Sequence, residues 1–444
     1  VQFVSQSFEP HGEVPTSARY TVLALLCSLS FIFYLDRVCI SKAGPMIQAE
    51  LHIENDAMGY VYAAFTLAYI LFEIPIGIWG DRYGSRRVMT RIVIGWSIFT
   101  ALTGAVQGLI PLIAVRFLFG AGEAGAFPNT ARILSRWFPV DRRGMAQGMV
   151  NSASLVGGAL APIVTQKLMD LIGWRWTFAV YSFPGVIWAV VFYWWFRDDP
   201  QTHTSTNDAE RKLIAAGTDV FHAETHPPVP WSIVFGTPQI WVMAGILICS
   251  AANSYFYYSW YPTYLENGRG VSPGLSARLS SLVLAGGAIG GIVGGLLIDF
   301  LVKFTGNRHK SRRLWGALAL FLSAAFLLIG NEYDSAVPSA VWASLSLMFM
   351  ISTLASWWGA VTDISGKHLG ALFGLMNSVG GLGAMATQIL VGKYTTYMKS
   401  QSYVGRDQWN SMFYVFAAVL IVGSIGWLFV DSSRGIDRNE GVQS

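Results

Sequence analysis

The sequence predicts an all-α membrane protein of twelve transmembrane helices in two pseudo-symmetric six-helix bundles, with both termini cytoplasmic. Three observations carry this. The 444 residues are 53% hydrophobic and only 13% charged, about half the charged share of a soluble domain. Twelve apolar runs reach the roughly 20 residues that a spanning helix needs. A sequence pattern in the first half returns in the second.

The runs cover about 19–47, 57–80, 88–107, 110–137, 144–170, 175–196, 238–266, 275–303, 313–330, 338–362, 369–398 and 410–430. The one long polar link, 197–237, contains RDDPQTHTSTNDAERK and THPPVPW and divides the runs six and six. The expected organisation is therefore a tail 1–18, a bundle 19–196, a linker 197–237, a bundle 238–430 and a tail 431–444. High Trp and Gly counts, 17 and 46, suit interfacial aromatic belts and close helix contacts. The first run follows polar residues and has no clear cleavage site, so no signal peptide is expected.

Lys and Arg set the orientation. The loop after the second run holds Arg82, Arg86 and Arg87; the loop after the fourth holds Arg142 and Arg143, with Arg132 and Arg136 just before it; the eighth is followed by Lys303, Arg308, Lys310, Arg312 and Arg313. Loops after the third and ninth runs have no Lys or Arg. The basic loops, the linker and both termini are assigned to the cytoplasm.

The repeat pairs GMAQGMVNS at 144–152 with GALFGLMNS at 370–378, and more weakly Gly77-x-x-x-Asp81 with Gly295-x-x-x-Asp299. Both separations are about half the chain, the layout of a duplicated transporter with its site between the halves. Cys27, Cys39 and Cys249 lack paired spacing and the seven histidines fall in predicted loops or tails, so neither a disulfide framework nor a metal site is expected. The scattered bases exclude a nucleic-acid footprint, and no nucleophile–base set supports an enzyme.

Residues 77–87 read GIWGDRYGSRR, which matches the loop signature of the major facilitator superfamily. Together with FYLDR at 33–37, RFLFGAGEA at 116–124 and WFP-x-x-x-RG-x-A-x-G entering the fifth run, the whole chain resembles the superfamily's anion:cation symporters. That group includes bacterial hexuronate, galactonate and glucarate porters and animal sialin-type transporters. The resemblance implies a multi-pass protein of the bacterial inner membrane, monomeric and without a cofactor, that takes up a small organic anion with protons. A proton-independent facilitator or exchanger is the alternative, and a membrane sensor or enzyme a remote one. Within the group, an absent His in the second run and an absent Arg in the seventh argue against glutamate transport. Ser154 stands where galactonate porters carry Gln, and the fifth run looks more like the hexuronate porters.

Asp36, Arg37, Glu73, Arg116 and Glu123 are the ionisable residues read as lying well within spans, all in the first half. Such charges are costly unless paired or facing water and mark a functional path. Arg116 and Glu123 are two turns apart, on one face; Asp36 and Arg37, adjacent, diverge by about 100°. An arginine fork suits a carboxylate, and a carboxylic acid in a low-dielectric site can carry a proton. The resemblance assigns Arg37 to the substrate carboxylate and Asp36 and Glu123 to protons, with Arg116 tuning Glu123. Glu73, Gly77, Asp81, Arg82, Gly84, Arg86, Arg87 and Asp299 are read as gating residues. Tyr34 and Tyr69, near Asp36 by the family pattern, join Asn253, Tyr257, Trp357, Asn377 and Ser378 as substrate contacts, since rings and amides suit a polyhydroxylated ligand. The expected substrate is a monocarboxylate sugar acid, a hexuronate or aldonate.

Overall fold

In the computed structural model, which describes residues 14–215, 231–365 and 369–432, the chain is all-helical, with no strand among the described residues. The first half comprises α1 (Ala18–Leu51), α2 (Asn55–Tyr83), α3 (Ser85–Thr103), α4 (Leu109–Glu123), α5 (Ala126–Trp137) and α6 (Val140–Trp195). Among the described residues, ten helical stretches are long and apolar enough to cross a membrane. The 56-residue α6 holds two of the expected runs: Gly173, at φ 74, breaks the helical path between them, a conformation open to glycine at little cost. Charge keeps α3 out of the ten, since Arg86, Arg87 and Arg91 crowd its first turns.

The expected fourth run is broken between α4 and α5. Pro128 removes a hydrogen bond to Ala124 and its ring opposes that carbonyl; Ala124 turns extended and Gly125 takes φ 82. Gly125 lies so close to Ile76 that a side chain there has no room. The break leaves Glu123 as the last residue of α4.

After the first half come α7 (Asp208–Ala215) and α8 (Trp231–Gly236). Residues 216–230 of the expected linker, most of both tails and histidines 11, 222, 226 and 368 lie outside the described residues. The described part of the linker is docked. Glu210 pairs with Arg19 of α1 at 3.1 Å, both buried, and the His203 ring sits 5.3 Å from that of Trp137 and 4.5 Å from that of Trp195.

The second half opens with α9 (Pro238–Tyr255), two π-helical turns, Phe256–Trp260 and Tyr264–Gly268, and the single turn α10 (Tyr261–Thr263) between them. Pro262 disturbs this segment in the same way, and π-bulges take up the slack. Then follow α11 (Pro273–Thr305), α12 (Arg308–Glu332), α13 (Ala336–Ser352), α14 (Leu354–Ser365), α15 (Leu369–Ser400) and α16 (Asn410–Leu428). The α13–α14 junction at Thr353 interrupts the expected tenth run much as Ala124–Gly125 interrupts the fourth. The halves meet along two seams, α2 with α15 and α6 with α11.

Candidate functional site

One cavity lies between the halves. Its wall is Tyr34, Arg37, Val38 and Ile40 of α1, Tyr62 and Phe65 of α2, Arg116 of α4, Tyr255, Tyr258 and Ser259 of the bulged seventh run, and Gln388 of α15. Arg37 donates to Tyr255 Oη at 3.0 Å, across the halves. Its guanidinium lies 4.7 Å from the Phe65 ring, 5.1 Å from Tyr69 and 5.8 Å from Tyr34. Aromatic faces hold a cation without neutralising it.

Asp36 turns away from this wall. It is 2% exposed, and neither carboxylate oxygen has a hydrogen-bond partner among the described residues. The charged groups acting on it are Glu123 and Arg116. Glu123 is 1% exposed, also with both oxygens unpartnered, and feels Arg37 and Arg116. Arg116 is buried, packs over Phe119 at 4.6 Å and Phe65 at 5.1 Å, and leaves Nε without a partner. The adjacent Asp36 and Arg37 thus serve different surroundings, as their angular separation on a helix dictates.

Other expected contacts are placed differently. Asn377, on α15, donates its amide to Glu73 of α2 at 2.9 and 2.7 Å. Trp357 donates to the Met243 carbonyl at 3.1 Å. Tyr257 packs its ring 5.5 Å from Phe256 and 5.4 Å from Tyr261, within the second half. The Asn253 amide nitrogen and Ser378 hydroxyl are buried without partners, and neither residue forms the cavity wall.

Sequence reasoning missed the roof. Gln388 accepts from Thr66 at 2.8 Å, donates to Ser259 at 3.1 Å and takes the Trp260 indole on its backbone oxygen at 3.1 Å. Beyond it, away from the loop signature, Lys42 forms a buried ion pair with Glu266, and Glu54 pairs with Lys399 at 2.9 Å. Asn55 and Asp56 bond Thr395 and Thr396, both at 3.1 Å. Lys42–Glu266 and Glu54–Lys399 are the ion pairs between halves among the described residues, and both lie at this end. A lysine inside the first run was the available signal.

At the loop signature, Gly77 faces Pro128, and Gly84, at φ 84, ends α2. The Arg86 backbone N–H donates to Asp198 at 3.0 Å and its guanidinium to the Tyr193 carbonyl at 2.8 Å. Arg82 lies 5.6 Å from the Tyr83 ring and Arg87 is exposed; the Asp81 side chain lies outside what the structure describes. Asp299 is exposed. The second-half acid that gathers bases is Asp363 of α14, 2.6 Å from Arg312 and 3.6 Å from Arg308.

Residues 26–388 match the family described as Major Facilitator Superfamily. The chain belongs to that superfamily. A probable sulfoacetate transporter of Cupriavidus necator is 30% identical over 94% of this chain and 95% of its own length. A probable galactarate/D-glucarate transporter of Bacillus subtilis is also 30% identical, over 94% and 95%. The solved structure of a D-xylose–proton symporter superposes with a TM-score of 0.74 at 14% identity, covering 94% of this chain and 99% of that one, a likeness of fold. Family and relatives make this a multi-pass membrane transporter and not an enzyme, and the glucarate relative falls in the group that the sequence motifs resemble.

Proposed function

We propose that the protein takes up a carboxylate-bearing organic anion of the sugar-acid class together with protons, by alternating access between two six-helix bundles. The observation that carries the reading is the division of labour on α1. Arg37 faces a cavity built by both halves, held there by rings and a tyrosine hydroxyl, while Asp36 and Glu123 are buried outside its lining. An arginine cannot shed its charge and is free to take a carboxylate. Two buried carboxylates without an ion-pair partner among the described residues are costly as anions, and each can carry a proton through the cycle. The named substrates of the relatives, sulfoacetate and galactarate or glucarate, are organic acids and support an anionic cargo.

On this reading α3 and each arm of α6 also cross the membrane, making twelve spans. The basic loops assign the signature side and both termini to the cytoplasm of a bacterial inner membrane, with bundles 19–196 and 238–430. The Lys42–Glu266 and Glu54–Lys399 pairs then close the outer mouth. Tyr34 and Tyr69 belong to the substrate pocket, and Glu73 with Asn377 to the seam that opens and closes.

The test is uptake of labelled sugar acids into proteoliposomes with and without an inward proton gradient. Wild-type protein accumulates substrate only with the gradient. Glu123→Gln, shaped like the protonated acid but unable to release a proton, retains anion exchange and loses accumulation. Gradient-independent uptake by the wild type would favour a facilitator and contradict the proposal.

A further inference from the structure

We propose that Arg116 is a second anion-binding residue and that the transported substrate is a dianion, charged at both ends, held between Arg37 and Arg116. The proposal rests on the sugar-acid reading above and narrows it. The sequence assigned Arg116 to tuning Glu123 and so left one arginine for one carboxylate. The structure puts both arginines on the wall of the same cavity, which has no Asp or Glu in its lining.

The contrast with the other buried cations is decisive. Lys42 is paired with Glu266, and Arg19 with Glu210. Arg37 and Arg116 form no ion pair among the described residues; Arg37 has one tyrosine hydroxyl, and Arg116 has only aromatic faces and a buried unpartnered Nε. A permanently charged guanidinium away from water demands a counter-charge. Two such groups on one cavity demand two.

The spacing suits a small molecule. Both guanidinium carbons lie close to the Phe65 ring, at 4.7 and 5.1 Å from its centroid. Each distance lies within the range of cation–ring attraction, and the two carbons are therefore no more than about 10 Å apart. Charge-assisted hydrogen bonds from both forks reach the two ends of a dicarboxylate or a carboxylate–sulfonate of a few carbons. Tyr34, Tyr255, Tyr258 and Ser259 are placed to meet the hydroxyls between them.

Charge bookkeeping links this to the protons. Asp36 and Glu123 are the carboxylates that act on Arg116, and Glu123 acts on Arg37. When both are ionised they balance the two arginines from behind. When both are protonated, the substrate's two charges take their place. A monoanion leaves one arginine uncompensated.

The experiment compares matched pairs that differ at one end: D-glucarate against D-gluconate, galactarate against D-galactonate, and sulfoacetate against acetate. Dissociation constants are measured by calorimetry on purified protein at one mildly acidic pH. For at least one pair, the wild type should bind the dianion at least about tenfold tighter, the effect of one charge-assisted fork. Arg116→Gln should bring that ratio to about one, whereas Arg37→Gln should weaken both members. Arg116→Lys should keep a smaller preference, because its charge remains but its fork is gone. If Arg116→Gln does not fold, the wild-type ratio and the Arg116→Lys ratio decide. Monoanions that bind as tightly as their dianions would overturn the dianion assignment and leave the sugar-acid reading standing. No binding by any of the six would overturn both.

Discussion

Asn377 and Glu73 join the two halves: one amide nitrogen on α15 donates to both carboxylate oxygens on α2, at 2.9 and 2.7 Å. Glu73 is buried while Asn377 is exposed, so the contact sits at the edge of the seam. Removing the amide leaves a buried carboxylate without its donor, a cost of about 1–3 kcal/mol or more for a charged group.

That cost falls on the closed seam and not on the substrate. Asn377→Ala should therefore lower turnover by about tenfold, the equivalent of 1.4 kcal/mol, with the dissociation constant nearly unchanged. Paired uptake and calorimetric measurements check this. A large loss of affinity at unchanged turnover would instead place Asn377 on the substrate.

Arg37→Ala should weaken sugar-acid binding at least about tenfold, since it removes the guanidinium that α1 presents to the cavity. Arg37→Lys should rescue it incompletely, because a point charge replaces a planar fork. Wild-type affinity in a titration of Arg37→Ala contradicts the assignment.

The docked linker carries its own pH dependence. Ser205 donates its backbone N–H to His203 Nδ1 at 3.1 Å, so Nε2 bears the proton and faces the Trp195 carbonyl at 3.0 Å. Burial holds the pKa of this ring below the usual histidine value. The undocked or unfolded segment then binds a proton more readily than the docked one. Docking is favoured above the free-histidine value of about 6.5 and weakens as pH falls through it toward the lowered one. The wild type should melt about 2 °C above His203→Gln at about pH 7.5. The gap should close at about pH 5.5, where the docked histidine is being forced to charge. A gap that persists or widens in acid contradicts this.

The all-helical, membrane-spanning fold was legible because long apolar runs report directly on the membrane. The breaks at Gly125 and along Phe256–Gly268 were not: each depends on a proline acting on a carbonyl four residues earlier and on the packing that tolerates the result. These breaks position Glu123, Tyr255 and Tyr258. The divergence of Asp36 and Arg37 followed from helix geometry alone. Which of Asn377, Gln388 and Arg116 face the cavity did not, since a residue's partner across a seam is set by how the halves dock. Asn377, expected at the substrate, meets Glu73; Gln388, with no charge to mark it, caps the cavity; Arg116, expected to act on Glu123, stands on the wall.

On the proposed mechanism, a proton behind Arg37 and an anion in front of it assist one another. Linkage makes that effect reciprocal. The direct measurement is the dissociation constant of the preferred substrate from about pH 5.5 to 8.5, in the wild type and in Asp36→Asn. Wild-type affinity should fall as pH rises, because deprotonation of Asp36 restores a competing counter-charge. Asp36→Asn should still bind, with a flatter dependence, and should lose concentrative uptake. An unchanged slope in Asp36→Asn would contradict the claim and move the coupling proton away from Asp36.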